Sequence, residues 1–190
     1  GIGSKESNLG YIDSCVEKSM ELYLRTCKHF KYVENEKNIK DCFDRKFQVA
    51  NEKKLIPGIS AEHFSFSFTY DSISTYEKAH RLKNIFQTDT QIIILVRSQL
   101  ELIESLFKES VRNGFFGSFK YYVELFYKYQ DRNYFYDIAY SKIIKHYKDL
   151  FGADNVKVLF FEDYRDDSKL IYKFDKFPKL IYDLNSTLEI

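Results

Sequence analysis

The chain has 190 residues, of which 44% are hydrophobic and 30% are charged, a mixture typical of one globular domain with its own core. Its 29 Lys and Arg nearly balance its 28 Asp and Glu. This balance argues against a general nucleic-acid binder, because such proteins carry a marked basic excess. The longest clean apolar run, residues 92–96, is too short to cross a bilayer, and no signal peptide is recognisable.

The first half of the sequence has the apolar periodicity of helices. Apolar residues recur at helical spacing over 16–27 and again over 39–50, with a polar break predicted at 34–38. The pattern of residues 54–60 then predicts a short strand that leads into a loop.

Ser74 and Glu77 have the spacing of a capping box, which predicts a helix over about 74–86. Residues 91–96 follow as the strongest strand in the chain. Their consecutive apolar side chains predict burial on both faces, as in a parallel sheet. A helix is predicted from about residue 98 to the Asn-Gly pair at 113–114.

Ser118 is the expected N-cap of the next helix. A regular apolar stripe predicts a further helix over 140–151, with Gly152 at its C-terminal end. Residues 156–161 read as a second buried strand, which Glu162 and Asp163 close.

The three cysteines are Cys15, Cys27 and Cys42. Their odd number and wide spacing predict neither a metal clamp nor a disulfide framework, and all three fall at apolar positions of helical patterns. We therefore expect buried free thiols, which suit a reducing compartment such as the cytoplasm.

Strands that alternate with helices predict an α/β domain with a small, mainly parallel sheet. Ligands of such sheets bind outside the carboxyl ends of the strands. Those ends carry residues 60–63, Arg97 with Ser98, and Glu162 with Asp163. We therefore expect the binding or catalytic residues at this edge of the sheet.

Arg97 is the most informative of these residues. A guanidinium forms paired hydrogen bonds to phosphate, and a hydroxyl at Ser105, about two turns into the following helix, can add a third. The alternative is a surface Arg beside an incidental Ser.

The segment 91–105 resembles the 3′-phosphate-binding segment of the sulfotransferase family, in which an apolar strand ends in Arg and a Ser follows eight residues later. Arg97 and Ser105 keep that spacing. Residues 105–114 look like the helix and turn of bacterial carbohydrate-type members, and residues 140–163 look like a later helix, strand and Glu-Asp pair of the family. The resemblance covers roughly residues 56–166.

The resemblance implies a single domain over residues 1–190 with a P-loop NTPase-like three-layer fold. It implies transfer of a sulfuryl group from 3′-phosphoadenosine 5′-phosphosulfate (PAPS) to a hydroxyl or amine of a carbohydrate or glycolipid, without a metal. Arg97 and Ser105 would bind the 3′-phosphate of PAPS. His63 or Glu62 would be the base. A structural role for His63 and a surface position for Glu62 would explain these residues equally well.

The sequence departs from the family at the loop that holds the 5′-phosphosulfate. Residues 1–8, with Lys5, could be a degenerate form of that loop. Alternatively, the loop lies upstream of Gly1, which keeps the enzyme interpretation, or it is lost, and the domain is an inactive relative that binds a nucleotide or a partner. A kinase-like phosphoryl transferase is disfavoured, because no Walker-type loop is present. A helical interaction module with an aromatic surface remains a further alternative.

Overall fold

The computed structural model describes residues 14–54, 57–61, 64–67, 73–86, 90–129 and 136–166. These residues form a helix-rich α/β structure around a two-stranded parallel sheet. This confirms the predicted α/β class with a small parallel sheet. The helices are α1 (Ser14–Lys18), α2 (His29–Glu52), α3 (Thr75–Ile85), α4 (Gln99–Arg112), α5 (Phe119–Lys128), α6 (Tyr140–Phe151) and α7 (Phe161–Asp166); the strands are β1 (Ile92–Val96) and β2 (Val156–Phe160).

The first helical region differs from the prediction in two ways. A π-helical segment, Ser19–Leu24, continues α1, and α2 then runs without interruption through the predicted polar break at 34–38. Tyr32 and Ile39, on either side of that break, are both buried. Polar residues between them therefore occupy the solvent side of one long amphipathic helix.

The expectation of three free thiols is wrong for two of the cysteines. Cys15 and Cys42 form a disulfide that joins α1 to α2, with Cα atoms 6.3 Å apart. Only Cys27 is free among the described cysteines, and it is buried. The chain reverses direction between the two helices, which brings together cysteines that are 27 residues apart in sequence.

Strands β1 and β2 pair in parallel register, from Ile92 opposite Val156 to Val96 opposite Phe160. Ile94 and Val96 face the main core, which also contains side chains of α2, α3 and α6. The expected burial of β1 on both faces is wrong, because Leu95 on the opposite face is 45% exposed.

The third strand predicted over residues 54–60 is not found in the described part of that range. Lys53 and Lys54 form a turn after α2, Lys54 has a positive φ of 56°, and residues 57–60 are irregular. The described sheet therefore has two strands, and a P-loop NTPase-like three-layer fold stays a prediction.

The second strand, predicted over 156–161, ends at Phe160, which is 59% exposed, and Phe161 begins α7. The predicted helix caps are confirmed. The Ser74 side chain accepts a hydrogen bond from the Glu77 backbone N–H at 3.2 Å, and Ser118 accepts one from Tyr121 in the same way. Helix α6 ends at Gly152, whose φ of 90° suits glycine best. A second, smaller apolar cluster lies between α4 and α5; its buried members are Phe66, Tyr122, Phe126 and Ile138.

Candidate functional site

The carboxyl ends of β1 and β2 lie side by side, because Val96 pairs with Phe160. Arg97 and Phe161 are therefore neighbours at the sheet edge, where the sequence places the ligand site. The Arg97 guanidinium lies over the Phe161 ring, with Cζ 5.6 Å from the ring centroid. The Glu162 carboxylate accepts a hydrogen bond from the Ser98 backbone N–H at 2.8 Å, which ties the two strand ends together.

The guanidinium of Arg97 is available for further interactions. Its Nη2 lies 3.7 Å from a carboxylate oxygen of Glu101, and the two side chains are 33% and 51% exposed. Its Nε is buried and has no hydrogen-bond partner among the described residues. A buried donor without a partner is costly, so this N–H is suited to donate a hydrogen bond to a water molecule or an anionic ligand.

Tyr140, the first residue of α6, forms another part of this edge. Burial raises the pKa of its hydroxyl, while a hydrogen bond to the Arg97 backbone and the charge of Arg97 act in the opposite direction. The hydroxyl therefore stays protonated at neutral pH and adds a neutral polar group beside Arg97.

Ser105 lies on α4 and is exposed. No hydrogen bond joins it to Arg97 in the described part of the chain; both side chains reach solvent on the same strand–helix unit. Their shared contact with one phosphate therefore stays a prediction.

The other predicted site residues, Lys5, Glu62 and His63, lie outside the described residues. The loop that carries Glu62 and His63 is attached to the core on both sides of them. Ala61 and Phe64 pack against the main core, and the Tyr147 hydroxyl donates a hydrogen bond to the Phe64 carbonyl at 2.9 Å.

A buried polar cluster was not predicted from the sequence. Asp137, 2% exposed, accepts hydrogen bonds at 2.8 Å from the Ser67 backbone N–H and from the Thr75 hydroxyl. Lys78, fully buried, donates to the Phe66 carbonyl at 3.1 Å and to the Ser67 hydroxyl at 3.3 Å.

The titration of this cluster follows from its burial. Burial lowers the pKa of Lys78 to about 8 and raises the pKa of Asp137. A Ser beside a Lys of lowered pKa can act as a nucleophile–base pair in catalysis. Here both Ser67 and Lys78 are inaccessible to a substrate, so the cluster is better explained as a structural element.

Two histidines, His80 and His146, come together between α3 and α6. The His80 and His146 ring centroids are 5.2 Å apart, and the Tyr76 ring stacks on His146 at 3.9 Å. His29, by contrast, is 73% exposed and pairs with Glu77. A spacing of four residues between Tyr76 and His80 places them on one helix face, but no local signal indicates that His146 joins them.

An open surface groove lies on α1 and α2 and contains none of the predicted site residues. It is lined by Cys15, Asn38, Asp41, Asp44, Arg45 and Gln48. It therefore gives no support to the nucleotide site at the sheet edge.

Among the described residues, no group of three or more His, Cys, Asp or Glu side chains is placed to hold a metal ion. Of the helices in the described ranges, none combines the length and apolar character needed to cross a bilayer. Comparison of the chain with protein-family models, with curated proteins and with solved structures finds no match.

Proposed function

We propose that this chain is a PAPS-dependent sulfotransferase that transfers a sulfuryl group to a hydroxyl or amine of a carbohydrate or glycolipid. One observation carries the proposal. Arg97 follows a parallel strand at the edge where α/β sheets bind ligands, with a partly exposed guanidinium and a buried Nε that lacks a partner in the described chain. The proposed ligand of this arginine is the 3′-phosphate of PAPS. Two features of the sequence support that choice: the spacing from Arg97 to Ser105, and the resemblance of residues 56–166 to the sulfotransferase family.

The pairing of Arg97 with Glu101 is too weak to block such a ligand. The two groups are 3.7 Å apart and both are substantially exposed. Exposed pairs of this kind contribute about 0–1 kcal/mol. A hydrogen bond between an arginine and a phosphate contributes about 1.5–3 kcal/mol, and paired hydrogen bonds are stronger still. A phosphate should therefore displace the Glu101 carboxylate, whose exposed side chain can turn into solvent.

In the proposed reaction, an acceptor oxygen or nitrogen attacks sulfur, and the bond from sulfur to the bridging phosphate oxygen breaks. The products are the sulfated acceptor and adenosine 3′,5′-bisphosphate. His63 or Glu62 takes the acceptor proton. Lys5, or a loop upstream of it, would neutralise the charge that develops on the leaving phosphate. Arg97 and Ser105 hold the nucleotide in place throughout.

Titration calorimetry with adenosine 3′,5′-bisphosphate tests the binding step. Arg97→Ala should weaken binding about ten- to hundredfold, because one charged contact of about 1.5–3 kcal/mol is lost. Arg112→Ala is the matched control, because Arg112 is the last residue of α4, the helix that follows Arg97; it is 77% exposed and pairs with Glu109. Ser105→Ala should have a smaller effect in the same direction.

Three results would decide between the proposals. If the wild type gives no heat at about millimolar ligand, the nucleotide site is wrong. Equal losses in Arg97→Ala and Arg112→Ala would indicate nonspecific charge attraction. Binding that depends on Arg97, without sulfuryl transfer from PAPS to a panel of glycans, would identify the inactive nucleotide-binding relative.

For the base, His63→Ala and Glu62→Ala should differ in turnover, and unchanged rates in both would reject that assignment.

A further inference from the structure

Three aromatic rings meet where α3 packs on α6: Tyr76, His80 and His146. The ring centroids of Tyr76 and His80 are 4.6 Å apart, and those of the two histidines are 5.2 Å apart. Tyr76 is 59% exposed, and both histidines are partly exposed. The cluster therefore borders the surface, with Tyr76 on its outer side.

His80 contributes an unusual feature to this cluster. Its Nε2 atom is buried and makes no hydrogen bond within the described residues. Buried polar atoms are nearly always paired, and an unpaired one often marks the position of a water molecule or an ion. An imidazole nitrogen with a lone pair is also the most common metal ligand of proteins.

His146 is oriented in a way that suits the same role. Its Nε2 lies 3.3 Å from the Tyr76 backbone carbonyl. A carbonyl can only accept a hydrogen bond, so the neutral ring carries its proton on Nε2 and leaves the lone pair on Nδ1. Metal-binding histidines commonly donate their second N–H to a backbone carbonyl in this manner, which fixes the ring and its tautomer.

The separation of the rings can be compared with coordination geometry. Zinc binds imidazole nitrogen at about 2.0–2.1 Å in tetrahedral sites, and the ring centre lies about 1.1 Å behind that nitrogen. Two imidazoles that share one tetrahedral ion therefore have centroids about 5 Å apart. The observed separation of 5.2 Å between the two ring centroids, with the ring planes at 49°, leaves room for one shared ion.

We propose that His80 and His146 form a two-histidine binding site for zinc or a similar borderline divalent ion, with the other coordination positions left to water or an external ligand. Imidazole nitrogens favour zinc, copper and nickel over magnesium and calcium, which prefer oxygen. With only two protein ligands the site is open and reversible. It is independent of the nucleotide site proposed at Arg97.

Calorimetric titration of the untagged chain with zinc tests the site directly. The expected result is saturable binding of one zinc ion per chain below about 1 mM, with no heat from magnesium at the same concentration. His80→Gln and His146→Gln should each weaken zinc binding at least about tenfold. His29→Gln is the matched control, because this histidine is exposed on α2 and should not affect binding.

A second measurement covers the case in which a glutamine variant fails to fold, as judged by circular dichroism. In proton NMR spectra of the wild type, zinc should shift the ring signals of two histidines together, and the His29 signals, identified from the His29→Gln spectrum, should stay in place. The proposal is overturned if zinc does not bind, if His29→Gln loses as much affinity as the other variants, or if the His29 signals move with the rest.

Discussion

Asp137→Ala should destabilise the fold severely, because Asp137 is the shared acceptor of the buried polar cluster. Its carboxylate accepts hydrogen bonds at 2.8 Å from the Ser67 N–H and from the Thr75 hydroxyl, and it lies near the ammonium of Lys78. All four residues are buried. Alanine would leave two donors unsatisfied and a buried charge without its counter-charge.

The magnitude follows from these losses. Each unsatisfied buried donor costs about 1–3 kcal/mol, and removal of one partner of a buried charge pair costs about 3–5 kcal/mol in total. We therefore expect a loss of about 3–5 kcal/mol, a large share of the 5–15 kcal/mol typical of a domain. Asp137→Asn keeps one acceptor and should lose less.

Urea unfolding monitored by circular dichroism measures the effect. Asp149→Ala is the control, because Asp149 is an exposed aspartate on α6 that pairs with Lys145. It should cost about 0.3–0.5 kcal/mol. A loss below about 1 kcal/mol for Asp137→Ala would refute the reasoning, since it would mean that water or other groups replace the lost interactions.

Two further predictions concern stability. Burial lowers the pKa of Lys78 to about 8, whereas the unfolded chain holds this proton up to about pH 10.5, so stability should rise by about 2–3 kcal/mol between about pH 8 and 10. Lys78→Met should lack that rise in urea titrations, and a flat wild-type profile would contradict the assignment. Reduction with dithiothreitol should cost about 3–4 kcal/mol, because the Cys15–Cys42 bond closes a loop of 27 residues. Cys15→Ser should remove the dependence on reductant, while an unchanged wild type would argue against the disulfide.

Features set by neighbouring residues were predictable from the sequence. The cap at Ser74 and the helix end at Gly152 depend on hydrogen bonds and backbone angles within a few residues. Strand β1 was predictable from its apolar run, but that run carries no information on which face is covered. Leu95 is exposed because, in the described structure, the second face of the sheet is only partly packed.

Features that depend on long-range contacts were missed. Ser67 and Asp137 are 70 residues apart in sequence, as are Tyr76 and His146. The contact of Tyr76 with His146 results from the packing of α3 against α6, which hydrophobic periodicity predicts only as two separate apolar stripes. The position of Arg97 at the strand end followed from the sequence, whereas its contacts with Glu101 and Phe161 depend on the packing of the strand ends.

The buried cluster and the sheet edge are also connected through the chain. Asp137 is followed directly by Ile138, whose carbonyl accepts a hydrogen bond at 2.8 Å from the side chain of Gln99, the first residue of α4. Tyr140, two residues further, bonds to the Arg97 backbone. The short segment 137–140 thus holds the start of α4 and the backbone of Arg97 against the core. Because Arg97 precedes that helix start and Ser105 follows it, we expect the buried hydrogen bonds of Asp137 to help fix the relative positions of these two residues.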